Sequence, residues 1–240
     1  LHDAELRLAH NLEGVTESAV RDARAMLASS IVRYNAIACR ESNSAKIMVT
    51  RDEMKGRLVG RGGRLIAYFE ELFGVDVIFN DEPNTIIVSC FNLVQQEIAR
   101  LAIERLMREK IITEQVIDQA RSGAQTDMER VLEKEGQRVL AVLGVANMPA
   151  EFARLIGRLR FRTSYGQNVL RHCYEVGFLS RMLASEIGAN ENTALLGGFF
   201  HDIGKAIDQE VGGAHDALTK EILEKYGFSW EITHAAWTHH

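Results

Sequence analysis

Apolar positions along the chain change their spacing several times, and each change predicts a different element. Leu6, Ala9 and Leu12, then Val20, Ala23, Met26 or Leu27, Ser30 or Ile31 and Tyr34, recur at helical spacing, with a break near Gly14 and Thr16 placed to cap the second stretch. This seam is thin, and a helix with so little apolar surface needs a partner, so residues 1–45 predict the end of a coiled coil or dimer stalk, or a docked helix. From residue 46 the pattern shortens to a strand (46–50), then a turn into a helix from Asp52 to Gly56. The loop Gly60-Arg61-Gly62-Gly63 follows, and a second helix runs on to Phe73. Two β-rich stretches, 75–79 and 85–90, flank Asn80-Asp81-Glu82-Pro83-Asn84, which is turn chemistry, and an amphipathic helix over 93–108 closes the unit.

Beyond it the pattern is helical to the end of the chain. Residues 112–135 are charged, with Val116, Ala120, Met128 and Val131 or Leu132 on one narrow face, and predict a rigid helical connector whose charges are solvated. The pattern breaks at 144–149 and a further helical half begins at Ala150. Within it Arg158, Arg160 and Arg162 alternate ahead of a polar, turn-prone stretch. They would form a cationic rim for a nucleic-acid backbone, or pack their stems over a helix end.

Composition narrows the classes. A 240-residue chain that is 46% hydrophobic fills real cores, and a net charge of −5 excludes whole-surface binding of nucleic acid, leaving only a local patch. Cys39, Cys90 and Cys173 are far apart and odd in number, which fits buried thiols in a reducing cytoplasm rather than a disulfide framework. No run of about 18 apolar residues and no signal-like opening occurs, so no membrane contact is expected from these residues. A first residue of Leu and a terminal histidine pair in helical pattern give the expectation that both ends are cut.

The chemistry gathers in the second half. His201-Asp202 ends the apolar run Ala194 to Phe200, where a buried helix stops, and Lys205 follows three residues on. His172 shares a helix face with Val169, Val176 and Leu179, His215 shares one with Leu218 and Ile222, and His239-His240 ends the chain. Any one of these is most simply a hydrogen-bonded core histidine. Five of the eight histidines in such positions point instead to a shared cation, since burying that many imidazoles separately is costly. A mixed imidazole and carboxylate shell suits a divalent metal such as Mn, Mg, Zn, Fe or Ni, as one or two ions.

A Gly-x-x-Gly alone carries little weight among 19 glycines, but here it stands between two helices in the order β-α-α-β-β-α. A dinucleotide loop is excluded because no strand precedes it and Gly-x-Gly-x-x-Gly is missing. This unit resembles a KH domain, in which Arg57, Gly60, Arg61, Gly62, Gly63 and Arg64 would let a nucleic-acid strand approach bare backbone. A KH-like module that only packs against its neighbours is the alternative. The order His172, His201-Asp202, His215, His239-His240 resembles the HD superfamily of metal-dependent phosphohydrolases. That resemblance implies metal ligation by these six residues and phosphate neutralisation by Lys205.

KH followed by HD, with Asp52-Glu53-Met54-Lys55-Gly56-Arg57 ahead of the glycine loop and Arg162-Thr163-Ser164-Tyr165-Gly166-Gln167-Asn168-Val169-Leu170 ahead of His172, resembles the bacterial ribonuclease Y family. The resemblance implies an α+β chain in four parts: helical stalk remnant (1–45), KH RNA-binding domain (46–112), helical connector (113–150) and a partial, all-α HD domain (151–240). It also implies a metal-dependent endoribonuclease that cuts single-stranded RNA and starts messenger RNA decay. His201, Asp202 and Lys205 would be catalytic, His172, His201 and Asp202 would hold the principal ion, and His215, His239 and His240 a second. Family members are anchored at the inner face of the cell membrane, and this piece is expected to be cytoplasmic. A homodimer through the N-terminal helix and partners in an RNA-decay complex are expected too. The family usually has an acidic residue where this chain has Gly62, and HD sites normally recruit a further Asp downstream of the last histidines. Hydrolysis of a nucleotide or cyclic dinucleotide, and an inactive RNA-binding or dimerising scaffold, are the alternatives.

Overall fold

The computed structural model describes residues 15, 19–20, 22–26, 44–48, 53–79 and 84–240. The expected stalk falls largely outside the described residues, as do Cys39, Asp52 and residues 80–83 of the expected turn. The described positions before residue 27 are helical. The fold is mainly helical with small sheets, and no helix among the described residues is long and apolar enough to cross a membrane. It divides into two compact units, one of residues 40–171 with 205–213, the other of residues 1–39, 172–204 and 214–240.

The first unit is built on a three-stranded antiparallel sheet, β1 (Ser44–Met48), β2 (Asp76–Ile78) and β3 (Thr85–Ser89), in the order β1-β3-β2. Ile47 pairs with Ile86 and Val77 with Val88, and these four are buried while Lys46, Met48 and Ile78 face solvent, the alternation of a sheet covered on one side. Helices α1 (Glu53–Val59) and α2 (Arg64–Phe73) lie between β1 and β2 in the chain, and α3 (Leu93–Leu106) follows β3. Helix α1 starts at Glu53, so Gly56 is helical rather than part of a turn. Asn92 caps α3 by accepting hydrogen bonds from the Val94 and Gln95 amides, and its buried Gln96 is satisfied by the Val88 carbonyl at 3.2 Å.

Helix α4 runs 30 residues, Glu114–Leu143, from a Thr113 cap to Gly144. The seam passes through Ile117 rather than Val116, then Ala120, Ala124, Met128 and Leu132, and continues to Leu143. The tract expected as a solvated connector is thus an integral wall of this unit, packed against α3 and against α5 (Ala150–Arg158). Its charges are also partly engaged: Arg64 meets Glu114, Arg105 meets Asp127, and Arg154 reaches Glu129 and Glu133. A β-carbon at Gly136 would stand 1.7 Å from the Ala153 carbonyl oxygen, and one at Gly157 2.0 Å from that of Leu132. The α4–α5 crossing is therefore closer than any side chain permits. A short hairpin, β4 (Thr163–Ser164) and β5 (Gln167–Asn168), ends this stretch, and residues 205–213, with α8 (Asp208–Val211), belong to the same unit.

Among its described residues the second unit is built from helices: α6 (Val169–Ile187) from His172 onward, α7 (Glu191–Phe200), α9 (His215–Lys225) and α10 (Trp230–Trp237). Phe199 and Phe200 are fully buried; Tyr174 meets Phe199 edge-on and Phe228 meets Phe200. Cys173 is buried here as a small apolar residue, whereas Cys90 in the first unit is half-buried with its thiol on the Gly74 carbonyl.

Gly136→Ala and Gly157→Ala are each expected to lower stability by at least about 1–3 kcal/mol, since the added carbon forces the helices apart. Urea denaturation monitored by far-ultraviolet circular dichroism checks this, with Gln119→Ala on the exposed side of α4 as the neutral reference.

Candidate metal centre

All six residues expected to bind metal lie in the helical unit, and each stands at or near a helix end. His172 is in the first turns of α6, His201 caps the C-terminus of α7 with Asp202 next, His215 opens α9, and His239 and His240 follow α10. Short irregular joints allow side chains from four helices to meet without breaking helical hydrogen bonds. Gly204 makes one joint possible: a β-carbon there would lie 2.0 Å from the His215 carbonyl oxygen. The Gly204 amide donates to Thr219 Oγ1 at 3.0 Å, and that hydroxyl donates to the His201 carbonyl at 3.1 Å. Fully buried Thr219 thus ties the His201-Asp202 turn to the helix that carries His215.

Asp202 is the centre of the cluster and is 2% exposed. Its Oδ2 lies 3.3 Å from His201 Nε2 and 3.9 Å from His172 Nε2, while Oδ1 lies 3.5 Å from His215 Nε2 and 3.9 Å from His239 Nε2. Four imidazoles turn the same nitrogen toward one buried carboxylate. Two of them have their tautomer set by the backbone: His201 Nδ1 bonds the Gly198 carbonyl at 2.7 Å and His239 Nδ1 the Ala236 carbonyl at 2.8 Å. A ring that donates Nδ1–H to a carbonyl leaves the Nε2 lone pair available, the usual support of a metal-ligating histidine.

The spacing of the donors fits metal ligation. His172, His201 and Asp202 form one group with ligand atoms within 4.8 Å of one another, and His215, His239 and His240 form another. Within the second, His215 Nε2 lies 3.0 Å from His240 Nε2 and 3.3 Å from His239 Nε2. Nitrogens each about 2.0–2.1 Å from a shared ion stand about 3.0–3.4 Å apart, so these separations match ligand edges. Burial holds the His239 imidazole below its ordinary pKa, with the neighbouring His201 and His240 rings acting in the same direction against the opposing pull of the Ala236 carbonyl and Asp202. The ring is therefore predisposed to the neutral form that a cation needs. His172 keeps 36% of its side chain exposed and sits at the rim of the cluster rather than inside the core stripe.

The residues expected to meet nucleic acid behave differently from one another. Gly60, Gly62 and Gly63 all have positive φ, at 72°, 63° and 78°, and a β-carbon at Gly60 would press on Leu65 at 2.7 Å, so the loop exposes backbone by necessity. Arg57 donates to the Glu109 carbonyl and Arg64 pairs with Glu114 at 2.9 Å, whereas Arg61 has no ion-pair partner among the described residues. Arg158, Arg160 and Arg162, the candidate cationic rim, are all engaged in ion pairs. Each ends on a carboxylate: Arg158 on Glu210 at 2.8 Å, Arg160 on Glu135 at 2.9 Å and Arg162 on Asp208 at 2.5 Å. Alternation in sequence exposed the positive charges, but their acidic partners are 25 to 52 residues away and could not be paired from the pattern. Lys205 opens the 205–213 segment of the first unit, where it lines a cavity with Arg158 and Arg162.

Local spacing alone does not single out Thr219. Its signal was a polar residue on the buried stripe of α9, beside Leu218, Ile222 and Leu223. Thr219→Val is expected to destabilise the fold by about 1–3 kcal/mol, because the His201 carbonyl and Gly204 amide lose a buried partner, while Thr219→Ser retains most of that stability. Thermal melting of both variants checks it. A second expectation follows from His239. Its folded pKa is depressed, so its contribution to stability is fully present above about pH 6.5 and is lost as pH falls through the lower folded value. Melting temperature of the metal-free protein between pH 7.5 and 5, compared with His239→Gln, is expected to show an acid-side decline that the variant shares less.

Comparison with known proteins adds to this geometry. The family model described as "HD domain" matches residues 169–240. Proteins named ribonuclease Y are similar over most of the chain: 42% identical over 93% of it in Thermosipho melanesiensis, 42% over 91% in Syntrophotalea carbinolica and 40% over 100% in Desulforamulus reducens. The matched regions are 44%, 42% and 48% of those proteins, so the chain spans somewhat under half the length of the curated relatives it matches. No solved structure matches. The chain thus carries an HD domain in its C-terminal part and, along nearly all of its length, is related to ribonuclease Y.

Proposed function

We propose that these residues form the RNA-binding and catalytic parts of a metal-dependent endoribonuclease that cuts single-stranded RNA and takes part in messenger RNA decay. The observation that carries the reading is the convergence of four Nε2 atoms on buried Asp202. The name shared by the relatives supplies the substrate class. Residues 46–112 are read as a KH-type module on the support of the order β1-α1-α2-β2-β3-α3 with Gly60 to Gly63 between the first two helices. RNA would pass over the bare glycine backbone with Arg61 available to a phosphate.

In the helical unit His172, His201 and Asp202 would hold one divalent ion, and His215, His239 and His240 a second. When bound, such an ion polarises a phosphoryl oxygen and acidifies water, which is the chemistry phosphodiester hydrolysis requires. The chain's own contribution is orientation. The Gly198 and Ala236 carbonyls hold two rings in the ligating tautomer, Asp202 supplies the anionic donor, and Thr219 keeps the joint from relaxing. Lys205 would offset phosphate charge.

The His201→Ala, Asp202→Ala double variant is expected to reduce cleavage of an end-labelled single-stranded RNA by at least about 100-fold, with RNA affinity within about twofold of the parent. Gel analysis of cleavage and elemental analysis of the purified proteins check this together, since the variant should also lose its stoichiometric metal. Retained cleavage with retained metal would overturn the assignment.

A further inference from the structure

A cavity of about 250 Å³ lies within the first unit, lined by Phe91, Asn92, Arg158, Arg162, Lys205 and Glu210 among others. Its lining combines an aromatic ring with charged groups. Phe91 stands in the joint between β3 and α3 with 83% of its surface exposed, and no ring packs on it among the described residues. A single exposed phenylalanine is ordinary, but this one borders a cavity that charged side chains also line. There Arg158 and Arg162, held by Glu210 and Asp208, fix the 205–213 segment in place, and Lys205 stands beside them. Three cationic side chains line the cavity against two carboxylates, and Arg162 Nε is buried without an acceptor among the described residues.

An aromatic face and cationic side chains lining one groove are how proteins take single-stranded nucleic acid without reading its sequence. The base stacks on the ring, and the adjoining phosphate meets the positive charge. A duplex does not offer an unstacked base. We propose that this cavity is a subsite for single-stranded RNA in which one nucleobase stacks on Phe91 and the neighbouring phosphate faces Lys205. The inference rests on the reading of RNA as substrate and deepens it, because it assigns Phe91 a role in holding the strand apart from the glycine loop. The Arg158–Glu210 and Arg162–Asp208 pairs act as positioning groups that keep the wall of the cavity rigid.

The test uses fluorescence anisotropy of a labelled 12-nucleotide single-stranded RNA with the full-length protein, in the presence of a chelator and at one fixed salt concentration. Phe91→Ala is expected to weaken binding about 5-fold or more, which is the loss of one stacked base. Phe91→Trp is expected to restore it, and a duplex of the same sequence should bind parent and Phe91→Ala alike. Exposure of the side chain means that the fold should survive, as circular dichroism of each variant can verify. Equal affinity of Phe91→Ala and parent for single strands would overturn the proposal, as would an equal loss for single strand and duplex. The two readings fail separately because binding is measured without metal. If Phe91→Ala weakens binding in a protein that never cleaves RNA, the subsite stands and the nuclease reading falls. If cleavage keeps its KM in Phe91→Ala, the subsite falls and the nuclease reading stands. A parent protein that does not bind RNA would overturn both.

Discussion

A carboxylate that is 2% exposed among four imidazoles constrains the helical unit more than any other feature. An isolated ionised carboxylate in such a place is strongly disfavoured unless charge and hydrogen bonds compensate it. Helix ends provide the arrangement. Because His201 and Asp202 follow α7, His215 begins α9 and His239 and His240 follow α10, the cluster is filled from several directions while every helix keeps its own backbone bonds. Thr219 and Gly204 complete the joint with few atoms: one hydroxyl satisfies two buried backbone groups, and one missing β-carbon lets two segments touch.

The first unit solves a different problem, the attachment of a small sheet to long helices. Its core is continuous from Ile47 and Val88 on the sheet, through Ala99 and Ile103 on α3, to Ile117 and Met128 on α4. Helix α4 then meets α5 through reciprocal glycines, where shape alone sets the crossing. Around this core the long-range ion pairs are individually weak at the surface, but their positions are informative. They engage the very arginines whose alternation suggested a nucleic-acid rim, and they tie the 205–213 segment to the end of α5.

Much of the architecture was legible because it is local. The strand alternation around Ile47 and Val88, the helical seams of α3 and α9, and the glycine loop between two helices follow from spacing and backbone preference, and the structure places elements there. The six candidate ligands could be picked out because histidines on apolar faces are unusual enough to stand together. By contrast, the charged tract from Glu114 looked solvated because its buried face is narrow and rich in alanine, so the hydrophobic signal is weak even where burial is complete, as at Ala124.

By itself the sequence determined the order of the elements, the glycines that bare the loop backbone and the inventory of candidate metal ligands, since each depends on neighbours a few residues away. Only tertiary structure decided which nitrogens face Asp202, that Thr219 spans the joint, that Arg158, Arg160 and Arg162 end on carboxylates, and that Phe91 borders the same cavity as Lys205. The physical reason is range. Backbone preference and periodicity act within a turn or two, whereas the partner of a charge or the wall of a cavity is chosen by packing between segments 25 to more than 100 residues apart, where no local pattern carries the pairing.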